Sequence, residues 1–477
     1  MRDRSFACAS IVATAIFAAS PAAPAEIHCG ADAGCPLIDL ETFDPVDPDS
    51  SLRGFADPSL EKDPWSDAVY LAYSKPHRSS ATGNAQIETH LAVTLDHGQS
   101  WSAVVGGGLD GTLWALETGA PNYVHGPGAG FAGVGEWSFE TPNLLAITTG
   151  PAASVWIGAR MIEFRDDLHD VEPTSFGVRV SRAYSAPGLA TNADGLDLIE
   201  TLDLVGSAGA QVGYAWQVRE SGPSDDIPYR DLSLLAPELG NCAQWIEPSL
   251  YYDAASHDLF IAMRCQAYVG NLFDPQQSGI FVFVVAGDAG SNATTVPASA
   301  WTISYVGSIV DGTNVDALLA DLDPTAPLFP GDPGFPGYAP GLPTSLSQLD
   351  IAEFGGSLFG VLTPDDYQEA FGNNRKYGCR VVPLEPMATP GIRKVQGHYV
   401  LLAKLYQDPY STNGQGSCAL APELGTEAAG VLLAKRTFSP GEVTSEIRDT
   451  GFNGLVWPIF FDGFESGNLN GWSTYVP

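Results

Sequence analysis

Four acidic residues stand beside strand-like runs at long intervals along the chain: Asp57, Glu140, Glu247 and Asp350. Each opens a segment of one pattern, in which a polar or acidic residue beside a Pro or apolar position leads into a short strand, a turn and a second apolar strand. Ala56-Asp57-Pro58-Ser59-Leu60 precedes 68–73, and Glu140-Thr141-Pro142-Asn143-Leu144-Leu145 precedes 155–159. The run 245–252 precedes 259–263, and 348–353 precedes 357–361. Carboxyl groups brought to one place can divide the work of acid and base, because like-charge repulsion raises the pKa of one while another stays ionised. Cleavage of a glycosidic bond uses such a pair, about 6.5–9.5 Å apart when a water lies between them and about 5–5.5 Å apart when one attacks directly. On this reading Asp57 is the base or nucleophile, Glu247 or Glu140 the acid, and Asp350 a modulator. The plainer reading is that these groups cap polar backbone or hold a calcium ion. Trp137, Trp245, Tyr251 and Tyr252 lie near the same strand starts, where they either stack on sugar faces or fill the core between units.

Acids so far apart in sequence meet only if similar units surround a common centre. Gly (52) and Pro (36) interrupt the chain too often for long helices, and the intervening runs alternate with period two. A chain of 477 residues exceeds the usual single core yet shows no long linker, which favours stacked repeats. Proline cannot donate to a strand ladder, so it belongs at strand starts and edges, and the innermost strand of a propeller blade is such an edge. The expected fold is therefore all-β, a β-propeller of five or six four-stranded blades, with an array of β-sandwiches as the alternative. The acidic positions are further apart than the ~40–50 residues of ordinary propeller blades, so inserted loops are expected, with 106–135 and 321–343 as candidates. A further strand pair, 399–405 and 431–438, would add a blade.

The amino terminus has the features of an export signal: Arg2 and Arg4, an apolar stretch over 11–19, and Ala23-Pro24-Ala25 as a cleavage pattern. The reading divides the chain into a signal peptide (1–25), a disulfide-stapled segment (26–50), the propeller (51–455) and a tail (456–477). No later stretch offers ~18 consecutive apolar residues for a membrane span. The net charge of −34 repels phosphate backbones and anionic lipid, which excludes nucleic acid and membrane surfaces as partners. A secreted monomer, extracellular or periplasmic, is expected. Of the seven cysteines Cys8 leaves with the signal, and the even remainder points to disulfides. Cys29 with Cys35 and Cys242 with Cys265 are sensible local pairs, which leaves Cys379 for Cys418. The sequence shows no zinc spacing of Cys and His, no G-x-S-x-G elbow, no H-E-x-x-H and no phosphate loop. No cofactor is expected, and calcium is the one ion to consider.

Thr94-Leu95-Asp96-His97-Gly98-Gln99-Ser100-Trp101 resembles the Asp box, the S/T-x-D-x-G-x-T/S-W hairpin of sialidases and related propellers. Asp96 can accept amide hydrogen bonds across the turn, Gly98 supplies a positive φ, and Trp101 covers the hairpin. Residues 52–105 are similar to a blade of bacterial sialidase-like proteins, in which this motif is structural. The resemblance implies the propeller but not the sialidase clamp. The arginine of the R-I-P pattern that opens a sialidase blade is here Ala56, with Asp57 in the place of Ile. Arg53 lies upstream, and Arg160, Arg179, Arg264 and Arg380 follow strands without a recognisable spacing. The acidic strand starts are similar to those of five-bladed propeller glycosidases that cleave arabinans, xylans and fructans. The stretch 460–473 looks like a short tail found at the ends of secreted bacterial proteins, a sorting or attachment signal, or else a strand closing the last blade. Two functional classes follow: a secreted propeller glycosidase, and a non-catalytic propeller that binds glycan or protein at the cell surface.

Overall fold

The computed structural model describes, with short breaks, residues 37–44, 55–110, 122–125, 132–149, 155–166, 175–184, 201–206, 218–219, 229–322, 344–368, 373–376, 379–399, 418–421, 432–436 and 444–449. Within them the chain folds into a β-propeller. Blade one pairs Ala56–Lys62, Val69–Arg78, Ala85–Thr94 and Ser102–Ala103 in sequence order, all antiparallel. Blade two is Ala132–Ile147, Val155–Asp166, Ser175–Tyr184 and Thr201–Val205. A ribbon, Asn122–His125, extends the start of its first strand, and Tyr229–Asp231 runs parallel to its last. Blade three is Cys242–Asp253, Asp258–Val269, Gly279–Val285 and Ile303–Val310. Blade four pairs Thr344–Phe354 with Ser357–Gln368, which then receives both Asn373–Lys376 and Arg380–Pro383. Blade five is Cys418–Ala421, Leu432–Arg436 and Thr444–Asp449, with Leu37–Asp39 as its outermost strand. Among the described residues one α-helix occurs, Val315–Leu322, after blade three.

The first strand of each blade touches the first strand of the next, and that of blade five touches blade one, so the five form a closed ring about an axis. The second strands depart from the expected alternation and are near-continuous apolar runs, because they are covered on both faces. In blade one Val69, Leu71 and Tyr73 pack with Ala419 of blade five, while Tyr70 and Ala72 pack with Leu144 and Trp156 of blade two. In blade three Leu259, Ile261 and Met263 meet Ile157 and Val178 of blade two, while Phe260 and Ala262 meet Leu346 and Leu358 of blade four. Strands covered on both faces have no side on which a polar residue would be free.

One polar contact recurs at the seams. Ser59 Oγ of blade one accepts the Leu144 amide of blade two at 3.1 Å, and Asn143 Oδ1 accepts the Leu250 amide of blade three at 3.0 Å. Ser249 Oγ accepts the Ile351 amide at 3.0 Å, and Asp350 Oδ2 accepts the Leu420 amide at 2.6 Å. The matching residue of blade five is Ala419, which has no group to accept a hydrogen bond. That last seam is closed by other means. The disulfide Cys379–Cys418 ties blade four to blade five, and the amino-terminal strand of blade five continues into a segment fixed on blade one. There Asp44 accepts the Tyr73 hydroxyl at 2.6 Å, lies 2.9 Å from His90 Nδ1 and pairs with Lys75. Burial alone would raise the Asp44 pKa, but the hydrogen bonds and charges of His90 and Lys75 overcome it and bring it down to about 2.

The strand at 37–39 comes from the segment that the sequence reading sets apart as 26–50, yet it is a strand of the fifth blade. The strand expected at 399–405 is seen only at its start, where His398–Tyr399 forms a small ribbon with Lys394–Val395, and the first strand of blade five is Cys418–Ala421. Cys242–Cys265 bridges the first two strands of blade three. The pair Cys29 and Cys35, the leader and the tail 456–477 lie outside the described residues. Among the described residues no helix is long and apolar enough to cross a membrane.

The seam contacts generate a stability prediction. Asn143→Ala strands the buried Leu250 amide and removes the donor to Asp350, so it should cost about 2–3 kcal/mol in urea unfolding. A loss below about 0.5 kcal/mol would mean that the amide finds another partner and that the seam bond is dispensable.

Candidate functional site

Four non-glycine residues sit in the left-handed region at one and the same strand position: Asp57 (φ 49°), Thr141 (49°), Glu247 (52°) and Gln348 (56°). Each lies in a β-bulge of its blade's first strand. In blade one Ala56 faces Ser74 while Ser59 faces Ala72, so one residue is extra, and the same slip recurs in blades two, three and four. A bulge re-aims a side chain, and here it brings Asp57, Glu247 and Gln348 of three different blades together. The conformation costs roughly 1–2 kcal/mol per residue, and for β-branched Thr141 it is a genuine outlier. Proline follows in three of the four cases, Pro58, Pro142 and Pro248. It disfavours the right-handed helical region for the preceding residue and brings no amide needing a partner at the break in the ladder.

The units therefore align as Asp57-Pro58-Ser59-Leu60, Thr141-Pro142-Asn143-Leu144, Glu247-Pro248-Ser249-Leu250 and Gln348-Leu349-Asp350-Ile351. Asp57 and Glu247 hold bulge positions. Glu140 stands one residue before its bulge and is half-buried, and Asp350 stands past its own, at the seam position that Ser59, Asn143 and Ser249 hold in the other blades. The four acids thus lie at three different levels, because the strand places residues by backbone register and not by charge. Thr141 and Gln348 complete the bulge set and were passed over. The signal that marks them is the Pro-x-Leu spacing, not the acid.

The bulge residues are nearly but not fully covered, with relative exposures of 7% for Asp57 and 8% for Thr141, Glu247 and Gln348. Gln348 joins the two acids: its backbone amide donates to Glu247 Oε2 and its Nε2 to Asp57 Oδ1, both at 2.8 Å. The other oxygen of Glu247 receives Arg264 Nη1 at 3.3 Å. Because blades one and four are not neighbours in the ring, the Gln348–Asp57 bond crosses the axis. One step deeper a second bond crosses it, from Asn143 Nδ2 to Asp350 Oδ1 at 2.7 Å, and this floors the site. Burial raises Asp350 to about 7 against the pull of the donors Leu420 and Asn143. Below it Glu61 accepts the Ala146 amide at 3.2 Å and is pushed up to about 8 by desolvation, with the charge of Asp350 adding to the rise.

The aromatic candidates lie elsewhere. Trp245 is fully buried, edge-on to Phe281 and Phe283 in the core between blades two and three, so it offers no face to a sugar. Its type alone could not separate core from site. Tyr251 and Tyr252 lie further down the same strand than Glu247: Tyr251 stacks on Phe260 and donates to Glu353 at 3.1 Å, and Tyr252 is buried. Trp137 lies in the first strand of blade two, in register with Phe164. Arg160 lies over the Phe139 ring, Arg179 is engaged by Asp203, and Arg380 donates to the Cys379 carbonyl. Among the described residues no group of three or more His, Cys, Asp or Glu side chains is placed to hold a metal ion. At the outer side of blade one Asp96 accepts the Ser100 amide at 2.8 Å and the Thr94 hydroxyl at 2.8 Å, and Trp101 packs on the blade's core, so this hairpin contributes nothing to the axial site.

No protein-family model matches the chain, and no curated protein does. Among solved structures it is similar to a thermostable family-43 glycoside hydrolase, at 10% identity and a TM-score of 0.40, covering 85% of this chain and 91% of that one. It is also similar to an arabinanase of Bacillus subtilis (10% identity, TM-score 0.38, 83% and 94% covered). A third is the family-32 β-fructofuranosidase of Bombyx mori (10% identity, TM-score 0.37, 83% and 60% covered).

The two raised carboxyls below the mouth set a pH dependence. In the folded chain Glu61 and Asp350 keep their protons to about pH 8 and 7, whereas in the unfolded chain they lose them near pH 4. Their folded pKa values are above the unfolded ones, so the stability they contribute is complete below about pH 4 and is lost as pH rises through 7 to 8. Glu61→Gln, which keeps an acceptor for the Ala146 amide, should raise unfolding stability by about 1–3 kcal/mol at pH 8.5 and by much less at pH 5. Equal effects at the two pH values, read from urea titrations, would show that Glu61 is ionised in the folded protein throughout.

Proposed function

We propose that the protein acts on glycans at the mouth of its axial channel, as a secreted hydrolase of glycosidic bonds that uses Asp57 and Glu247. The observation that carries this reading is the pair itself. Two carboxyl groups, from blades one and three, occupy equivalent strained positions and are held to one glutamine between them. A glycosidic bond laid across that opening would meet one group on each side, the arrangement that inverting and retaining hydrolysis both require. Asp57 is assigned the role of base or nucleophile and Glu247 that of acid. Glu140, one residue before the bulge of blade two, stays as the alternative acid. Asp350 acts from the floor, shaping the field at the mouth. The export signal at 1–25 and the two disulfides suit work outside the cytoplasm, as a monomer.

One observation favours a second reading, a propeller that binds glycan without cleaving it. Arg264 and the Gln348 amide donate to the two oxygens of Glu247, so both are engaged within the protein, whereas an acid catalyst needs one of them at the leaving oxygen. The Asp-box hairpin adds a structural likeness to sialidase-type blades and no catalytic group.

Assaying the mature chain against arabinan, xylan, fructan and sialosides separates the readings. If Asp57 and Glu247 are the pair, Asp57→Asn and Glu247→Gln should each lower kcat by about 100-fold or more with the fold intact. Turnover unchanged in both variants removes them from the mechanism. A wild type that binds a polysaccharide and cleaves none, with binding lost in either variant, establishes the second reading.

A further inference from the structure

Two polar atoms at the mouth are buried and have no hydrogen-bond partner among the described residues: Gln348 Oε1 and Thr141 Oγ1. Both belong to bulge residues, and both residues are 8% exposed. A buried acceptor or hydroxyl without a partner is costly, and proteins rarely keep one that has nothing to meet. Neither atom contributes to holding the ring. The seam bonds are made by the residues two positions further on, and Gln348 already spends its backbone amide on Glu247 and its Nε2 on Asp57. With its backbone anchored at Glu247 and its carboxamide nitrogen held at Asp57, Gln348 cannot turn its oxygen away without losing the bond to Asp57, and Thr141, stiff at χ1 and strained at φ 49°, has little freedom either. The free oxygen is thus held on the carboxamide that bonds Asp57 across the axis.

Resting on the reading of this mouth as a glycan site, we propose that Gln348 and Thr141 form its hydroxyl-reading pair. Gln348 Oε1 accepts a hydrogen bond from a hydroxyl of the bound sugar, and the Thr141 hydroxyl exchanges one with another hydroxyl of the same residue. Gln348 is in addition the positioning residue of the pair Asp57 and Glu247, since one rigid group registers sugar and carboxylates together. No bond is made or broken in this role. It decides which sugar is held and in what orientation, because a site that expects a hydroxyl leaves its own polar atom stranded when an analogue lacks it.

The test uses the full mature chain, calorimetric titration with methyl arabinofuranoside, methyl xyloside and methyl fructofuranoside, and the monodeoxy derivatives of whichever binds. The variants are Thr141→Val, which keeps shape and removes the unpartnered hydroxyl, and Gln348→Met, which removes the free oxygen together with the donor to Asp57. Wild type should bind the parent glycoside about 10-fold more tightly than one of its monodeoxy forms. Each variant should bind the parent about 10-fold more weakly and show no further loss toward one monodeoxy form. Thr141→Val should leave Tm unchanged or raise it, a result that a merely structural hydroxyl would not give. Wild-type affinity in both variants, or an equal loss toward every monodeoxy probe, overturns the pair. If Asp57→Asn and Glu247→Gln abolish hydrolysis while these variants bind normally, the inference fails and the glycan reading stands. If wild type binds none of the glycosides and cleaves no polysaccharide, both fall together.

Discussion

The seam hydrogen bond from a polar side chain on one blade to the first-strand amide of the next governs the rest of the architecture. Taken singly such a bond is worth about 0.5–1.5 kcal/mol, well below the apolar packing on either side of each second strand. Packing alone, however, leaves the relative height of neighbouring blades weakly specified, because apolar surfaces slide. A bond to one particular amide does not. Ser59, Asn143, Ser249 and Asp350 each select the residue that follows the seam position in the next blade. A slip of one residue would turn every side chain to the opposite face. The bulge residues, two positions earlier, are thereby brought to a common level, and the candidate site exists because the ring is in register.

That common level is bought with backbone strain. Four residues without glycine's freedom adopt positive φ, together several kcal/mol that the seams and the interblade core must supply. Spread over four blades, the strain cannot be relieved by a local shift in one of them. The side chains it aims are correspondingly fixed: Asp57 and Glu247 do not approach each other by flexing but are spaced by the ring and by Gln348. A pre-organised pair of this kind suits either tight recognition of a sugar or stabilisation of charge developing in a reaction.

Much of this was legible in the residues. The alternating runs, the punctuation by Gly and Pro and the length together point to stacked four-stranded units, and Cys242–Cys265 and Cys379–Cys418, two of the pairs that the cysteine spacing makes sensible among fifteen possible pairings, are formed. The level of the site was legible only in half. Aligning the units on charge selects Asp57 and Glu247 but shifts Glu140 and Asp350 off register, because charge marks what a residue can do and not where the backbone turns it. The Pro-Ser-Leu and Pro-Asn-Leu spacing carries the geometry, since proline tolerates the bulge and leucine fills the seam. The second strand of blade five falls within the expected run 431–438, but its first strand lies at Cys418–Ala421 and not at the expected 399–405, for a related reason. Cys418-Ala419-Leu420-Ala421 is short, carries no proline and no acid, and takes its outer strand from the other end of the chain. Trp245 was ambiguous because an indole suits a sugar and a core equally well, and only burial separates the two.

The distribution of protons along the axis then gives the mouth its character. A chain with a net charge of −34 would be expected to repel itself most where strands converge, yet Asp350 and Glu61 hold their protons towards neutral pH because burial disfavours their charged forms. Each change of charge on one would be felt by the other across the axis. Below about pH 6 these two buried groups are therefore close to uncharged, and they gain charge as pH rises through 7 to 8; above them Arg264 pairs with Glu247. A polar but weakly charged funnel, floored by the Asn143–Asp350 bond and lined above by two acids, an amide and a hydroxyl, is matched to a ligand rich in hydroxyl groups.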